Sequence, residues 1–452
     1  MNSTGGGGAA PDLAPTLRGV PGFGRLWAAS TTSAFGTYVT LVAIQLLVAE
    51  VLDGSSVDMG LVNAARWVPY LVLGLLAGVL VDRVRRRPLL VLTDALSAVT
   101  LAAIPVLALT GRLTVPGLMA LMVVFGLCTV VGDAAFQAFI PTLVPRALLG
   151  PAHVRLDQSD AVAQVSSPAV GGGLVSLLGA PLAVLVDAAS YAVSAAVLST
   201  LRVDEPRAPR DPARAGWRAA ARSVGSEVAE GVRWVYRHPT LRPLALSTHA
   251  WFVCSATVGA VLALFVLRTL HLGPAALGLA LAVAGVGALV GSSWAVRLGR
   301  RFGAGRVVVV ARIGTGLAWG LMAAAALAVP PGTVDGDPVG PGAWVVLALG
   351  QLLLGLCMGA ENANEMSYRQ AATPDRLQGR MNATMRSVNR AVVVVGAPLG
   401  GLLGEAVGYG VTLVVAGAVL ATTAVAAIGS GLWGARLGDR HTPAPATSDA
   451  HP

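Results

Sequence analysis

The sequence predicts an all-α membrane protein of twelve transmembrane helices in two pseudo-symmetric six-helix bundles. Three observations predict it. The 452 residues are 55% hydrophobic and only 12% charged, well outside the balance of a soluble globular chain. Apolar runs long enough to cross a bilayer recur along the whole length. Short sequence pieces from the first half also return, in order, in the second.

The runs fall at 24–51, 59–81, 88–110, 115–139, 157–178 and 181–201, then at 243–268, 275–297, 306–329, 342–367, 382–405 and 409–433. Residues 1–23 and 434–452 read as disordered cytoplasmic tails. Glycine-rich sequence opens the chain where a signal peptide would need a basic start and an apolar stretch. Between the sixth and seventh runs the composition changes. Residues 202–242 hold nine arginines and five acids and end in an amphipathic stretch from Trp217 to Tyr236, which predicts a cytoplasmic linker with a surface helix. The bundles are therefore expected at 24–201 and 243–433.

Charge placement sets the orientation. All 32 basic residues are arginine and the net charge is +9. Nine arginines lie in the linker and four in the loop after the second run, whereas the loops of the other side hold only Arg112 and Arg268. The positive-inside rule then places both termini in the cytoplasm. It also accounts for the basic balance without nucleic acid. Cys128, Cys254 and Cys357 sit in apolar runs without CxxC spacing, so neither a metal site nor a redox pair is expected.

The halves repeat. Met59-Gly60-Leu61 matches Leu277-Gly278-Leu279 at an offset of 218, and Gly126-Leu127-Cys128 matches Gly355-Leu356-Cys357 at 229. Pro168 with Gly171-Gly172 returns as Pro398 with Gly400-Gly401. Ordered repeats of this kind mark transporters whose substrate site lies between the copies. These glycines lie inside spans and lack the Lys-Ser/Thr of a phosphate loop, so they predict close helix packing.

The loop after the second run reads Gly78-Val-Leu-Val-Asp82-Arg83-Val-Arg85-Arg86-Arg87. This resembles the loop motif of the major facilitator superfamily, with Arg85 where that family commonly has glycine. Gly24-Arg25-Leu26-Trp27, Ala135-Phe136-Gln137-Ala138 and Gly379-Arg380-Met381-Asn382 are similar to the branch containing the enterobactin exporter and the macrolide-efflux permeases. The resemblance covers residues 24–433 and implies that superfamily's fold. It also implies a gating latch at Gly78, Asp82, Arg83, Arg86 and Arg87. In this latch Asp82 meets the start of the eleventh helix, and an arginine pairs with an acid on the fourth, for which Asp133 is the candidate.

Ionisable residues inside spans mark functional or partnered sites. Glu361 and Glu365 are one turn apart on the tenth span, and Arg386 and Arg390 are one turn apart on the eleventh. Because these spans are consecutive and antiparallel, mutual neutralisation is geometrically possible, with Arg386 and Arg390 as the ion-pair candidates. Two readings stay open: a structural cluster that holds the cytoplasmic side shut, or a proton carrier built from Asp133, Glu361 and Glu365. Asp94 and Arg312, near the cytoplasmic edge, are expected to reach it by snorkelling. His249 is expected to be a satisfied helix contact. Tyr38, Gln45 and Trp251 are the cavity candidates, joined by Asp133 and Glu361.

The resemblance implies a plasma-membrane transporter of a bacterium, a monomer in the lipid bilayer. It would export an amphipathic small molecule by alternating access, in exchange for protons. No cofactor is expected, the proton gradient being the energy source. The alternatives are export of a siderophore, uptake of a metabolite by symport, and a membrane receptor or assembly protein that transports nothing.

Overall fold

A computed structural model describes residues 17–74, 81, 84–201, 203, 205, 229–333 and 340–436. Among these residues there are helices and turns but no strand. The first six long helices are α1 (Phe23–Leu46), α2 (Ser56–Leu73), α3 (Arg86–Leu109), α4 (Val115–Leu143), α5 (Leu149–Leu178) and α6 (Ala180–Ser199). The second six are α7 (Leu241–Leu264), α8 (Pro274–Phe302), α9 (Ala304–Ala324), α10 (Pro341–Ala371), α11 (Asp375–Val407) and α12 (Tyr409–Ala426). Eleven of these helices are long and apolar enough to cross a membrane. The twelfth, α2, is packed among them. The tails at 1–16 and 437–452, and most of the linker, lie outside the described residues; helix 229–237 is the described part of the expected surface helix.

Local chemistry explains where helices start. Ser55 accepts from the Asp58 amide at 3.1 Å while Asp58 accepts from the Ser55 amide at 2.9 Å, a reciprocal capping box that begins α2. Thr114 caps α4, and proline occupies the first turn of α4, α6, α8 and α10, where its missing N–H has no helical role.

The duplication is deeper than the sequence displays. Both α1 and α7 end in a π-helical turn, Leu47–Val51 and Phe265–Thr269, each followed by a non-glycine residue with positive φ, Asp53 and His271. The offset is again 218. Arg268, on the second π turn, pairs with Asp53 at 3.0 Å and so ties the two halves together at the end of the bundle away from the linker.

Each repeated glycine sits at a backbone contact. Gly126 on α4 lies against the Arg66 carbonyl of α2, and Gly355 on α10 against the Ala284 carbonyl of α8, so this repeat joins equivalent helices within each half. Gly172 meets Gly278 across the α5–α8 seam, and Gly60 and Gly401 bring α2 against α11. Ser56 Oγ donates to the Gly401 carbonyl at 2.8 Å, and the Glu405 carboxylate accepts from the Val57 amide at 3.4 Å. Small residues let backbones approach where lipid supplies no hydrophobic drive between helices. The halves are therefore closed at the end opposite the linker. Replacing Gly126 or Gly355 by leucine should overpack these contacts by about 1–3 kcal/mol and lower the melting temperature in detergent. Gly379→Leu, where a side chain meets open space, should leave it nearly unchanged.

Candidate functional site

Burying charge in a membrane requires partners inside the protein, and α7, α9 and α10 supply them to one another. Arg312 of α9 has no exposed surface. Its Nε donates to Glu361 Oε1 at 2.6 Å and its Nη2 to Glu365 Oε2 at 2.9 Å. Nη2 also reaches Thr248 Oγ1 at 2.8 Å, and Nη1 bonds Ser247 Oγ. The two glutamates face Arg312 together because four residues make about one helical turn. Glu365 Oε1 accepts from Arg369 at 3.2 Å, and Arg369 continues to Asn382 of α11 at 3.0 Å. Glu361 Oε2 is buried with no hydrogen-bond partner among the described residues, so one acceptor in the cluster has room for a proton.

Arg369 also faces a cavity. About 310 Å³ lies between α2 of the first half and α7, α10 and α11 of the second, running from mid-bundle towards the linker end. Trp67, Phe252, Arg369, Arg386, Asn389 and Arg390 define its character. The Arg390 guanidinium lies 3.8 Å from the Tyr70 ring centre and 4.9 Å from that of Trp67, a stacking that suits a planar cation. Tyr70 in turn donates to Asp133 Oδ2 at 2.7 Å. A smaller space of about 90 Å³ lies nearer the closed end, beside Gln45, Asn63 and Arg66.

The structure redistributes the predicted pairs. Glu361 and Glu365 do form ion pairs, but with Arg312 rather than with Arg386 or Arg390. Among the described residues neither of these last two arginines has a carboxylate within ion-pair distance. Both instead face the cavity. Arg312 does not snorkel, since it lies eight residues into α9 and its face is packed against α7 and α10. Asp94 accepts from Ser194 at 2.6 Å. Of the cavity candidates, Gln45 lines the smaller space. Tyr38 donates to Asp160 of α5 at 3.3 Å. Trp251 packs against the apolar core, so the wall of the larger cavity belongs to its neighbour Phe252. His249 is satisfied on both sides, by Tyr236 of helix 229–237 and by Asn389, each at 2.7 Å.

Gly78, Asp82 and Arg83 of the loop motif lie outside the described residues. Of the described remainder, Arg86 and Arg87 make backbone contacts. The Arg86 and Arg87 amides donate to the two oxygens of Glu205 at 2.7 and 2.8 Å. This places a carboxylate on the part-buried start of α3, where the helix dipole favours it. The Arg87 side chain donates to the Leu198 carbonyl at 3.1 Å and to that of Ser199, closing the end of α6. Asp133, the candidate acid on α4, lies about 15 Å from the helix's linker end and accepts from Tyr70.

A membrane bundle of two duplicated halves with a polar cavity at their seam is the architecture of a carrier. The profile of a family described as transmembrane secretion effector matches residues 11–440. The chain belongs to the major facilitator superfamily. Like other members it is a multi-pass membrane transporter. It is 27% identical to the multidrug efflux pump Tap of Mycobacterium tuberculosis over 413 residues, 88% of this chain and 91% of that one. Over 225 residues, 48% of this chain and 53% of the other, it is 32% identical to the Tap pump of Mycolicibacterium fortuitum. The fold is shared with a bacterial homologue of the iron transporter ferroportin in an inward-facing state, at TM-score 0.65 and 15% identity over 91% of this chain and all of that one. Within the superfamily framework, Glu205→Ala should remove the α3 cap and cost about 1 kcal/mol, seen as a lower melting temperature. Glu205→Gln should cost less, because it keeps an acceptor.

Proposed function

We propose that this protein exports amphipathic small molecules from the cytoplasm by alternating access in exchange for protons. One observation carries the reading: Arg369 joins a seam cavity to a buried carboxylate pair, so substrate and proton sites are in contact. Similarity to the multidrug efflux pump Tap and, over 181 residues at 23% identity, to macrolide efflux protein A of Streptococcus pyogenes supports export. The arginine-rich linker supports a cytoplasmic position for the open end. The cavity then faces inward while the glycine seams and the Asp53–Arg268 pair close the outside.

In this scheme substrate enters beside Trp67 and Phe252, and the halves rock about the seam contacts to open the other end. A proton taken from outside occupies Glu361 Oε2. It removes one negative charge from beside Arg312 and so weakens the α9–α10 attachment. Glu361→Gln fixes the neutral form. In everted vesicles it should reduce proton-driven accumulation of a transported dye about ten-fold or more, on the scale of one lost charge interaction, while downhill exchange continues. Unchanged proton-driven accumulation would remove Glu361 from the coupling role.

A further inference from the structure

The larger cavity has an uneven charge. Three arginines, Arg369, Arg386 and Arg390, face it, and among the described residues no carboxylate lines it. Two of the three are answered from behind the wall. Glu365 pairs with Arg369, and Arg390 lies over Tyr70, which holds Asp133. Arg386 is exposed to the cavity, and among the described residues it has neither an ion-pair nor a hydrogen-bond partner. It sits eleven residues into α11, where Asp133 acts on it only at a distance, so its donors are open to a ligand. Beside it are the flat faces of Trp67 and Phe252 and the amide groups of Asn382 and Asn389.

We infer that the substrate is an organic anion, with a carboxylate, phosphate or sulfonate on an aromatic or otherwise apolar body. The acidic group would take the fork of Arg386, which matches planar oxyanions, with an asparagine amide as a further donor. The body would lie against Trp67 and Phe252. A cationic amphiphile would meet the like charge of Arg386, so the same group that attracts the anion disfavours the cation. This inference names the substrate class of the cavity and rests on the transport reading above.

The test is calorimetric binding to the purified full-length protein in neutral detergent, using 1-naphthaleneacetate, 1-naphthaleneacetamide and 1-(1-naphthyl)ethylammonium as a charge series on one body. The anion should bind about ten-fold tighter than the amide, and the cation more weakly than either. Arg386→Gln should abolish the anion's advantage and leave amide affinity alone. Arg386→Lys, with the wild-type melting temperature as the check on folding, should restore much of it. Displacement of the 1-naphthaleneacetate by phosphatidylglycerol would identify a lipid headgroup as the anion's source, whereas no displacement would leave a soluble solute. Equal binding of all three probes, preference for the cation, an unaltered Arg386→Gln variant or no binding of the anion would each overturn the inference. Anion-selective binding without proton-driven flux would refute the export reading and keep the substrate class. Proton-driven export of cations alone would do the reverse.

Discussion

The second half is organised around a single buried arginine. Arg312 cannot reach water, and its five donors must be satisfied by α7 and α10. That requirement fixes how deep Glu361 and Glu365 lie and which face of α10 turns inward. It also leaves Arg369 pointing from the pair towards the cavity. Removing one member of such a cluster leaves a charge stranded in low dielectric, so the three residues act as a unit. Among the described residues the first half has no equivalent. There Asp133 is held by a tyrosine, and the cations that act on it are Arg390 and Arg386 from the other half and Arg66 from its own. The halves are copies in backbone and have diverged in charge.

That asymmetry has a mechanical counterpart. At the closed end the halves meet through glycine pairs, a serine-to-carbonyl bond and one ion pair. At the other end the seam is a cavity bounded by arginine, asparagine and aromatic faces. In the proposed alternating access the close backbone packing would serve as the fulcrum, and the cavity would change volume as the halves moved. The linker helix takes part: Tyr236 holds His249, which holds Asn389 at the cavity wall, and Glu230 pairs with Arg376 and Arg380 at the start of α11. The connection between the halves is thus bound to the helix that carries two of the cavity's arginines.

Much of the fold was legible in the sequence, because a bilayer demands long apolar helices and the arginines record their order. The repeated Gly-Leu-Cys and Gly-Gly pieces were legible as packing, and they proved to be the backbone contacts within and between the halves. The site was legible only in part. The one-turn spacing of Glu361 and Glu365 identified a shared face, but their partner is set by which helix lies beside α10 in space. The nearest helix in sequence, with Arg386 and Arg390, was the wrong neighbour. Trp251 and Phe252 differ by one position and about 100° of rotation, and in a helix apolar all round no hydropathy pattern tells which faces the cavity. The π turns after α1 and α7 have no composition signal at all, since they are backbone events at the ends of two apolar runs.

The dependence on Arg312 is open to direct measurement by thermal melting in detergent of Arg312→Met, of the Glu361→Gln, Glu365→Gln pair, and of all three together. If the carboxylates exist to hold the guanidinium, Arg312→Met alone should cost about 3–5 kcal/mol. Neutralising both glutamates in that background should recover a large part of the loss. If the triple variant instead falls by the sum of its parts, the charges do not answer one another, and the second half is held together by something else.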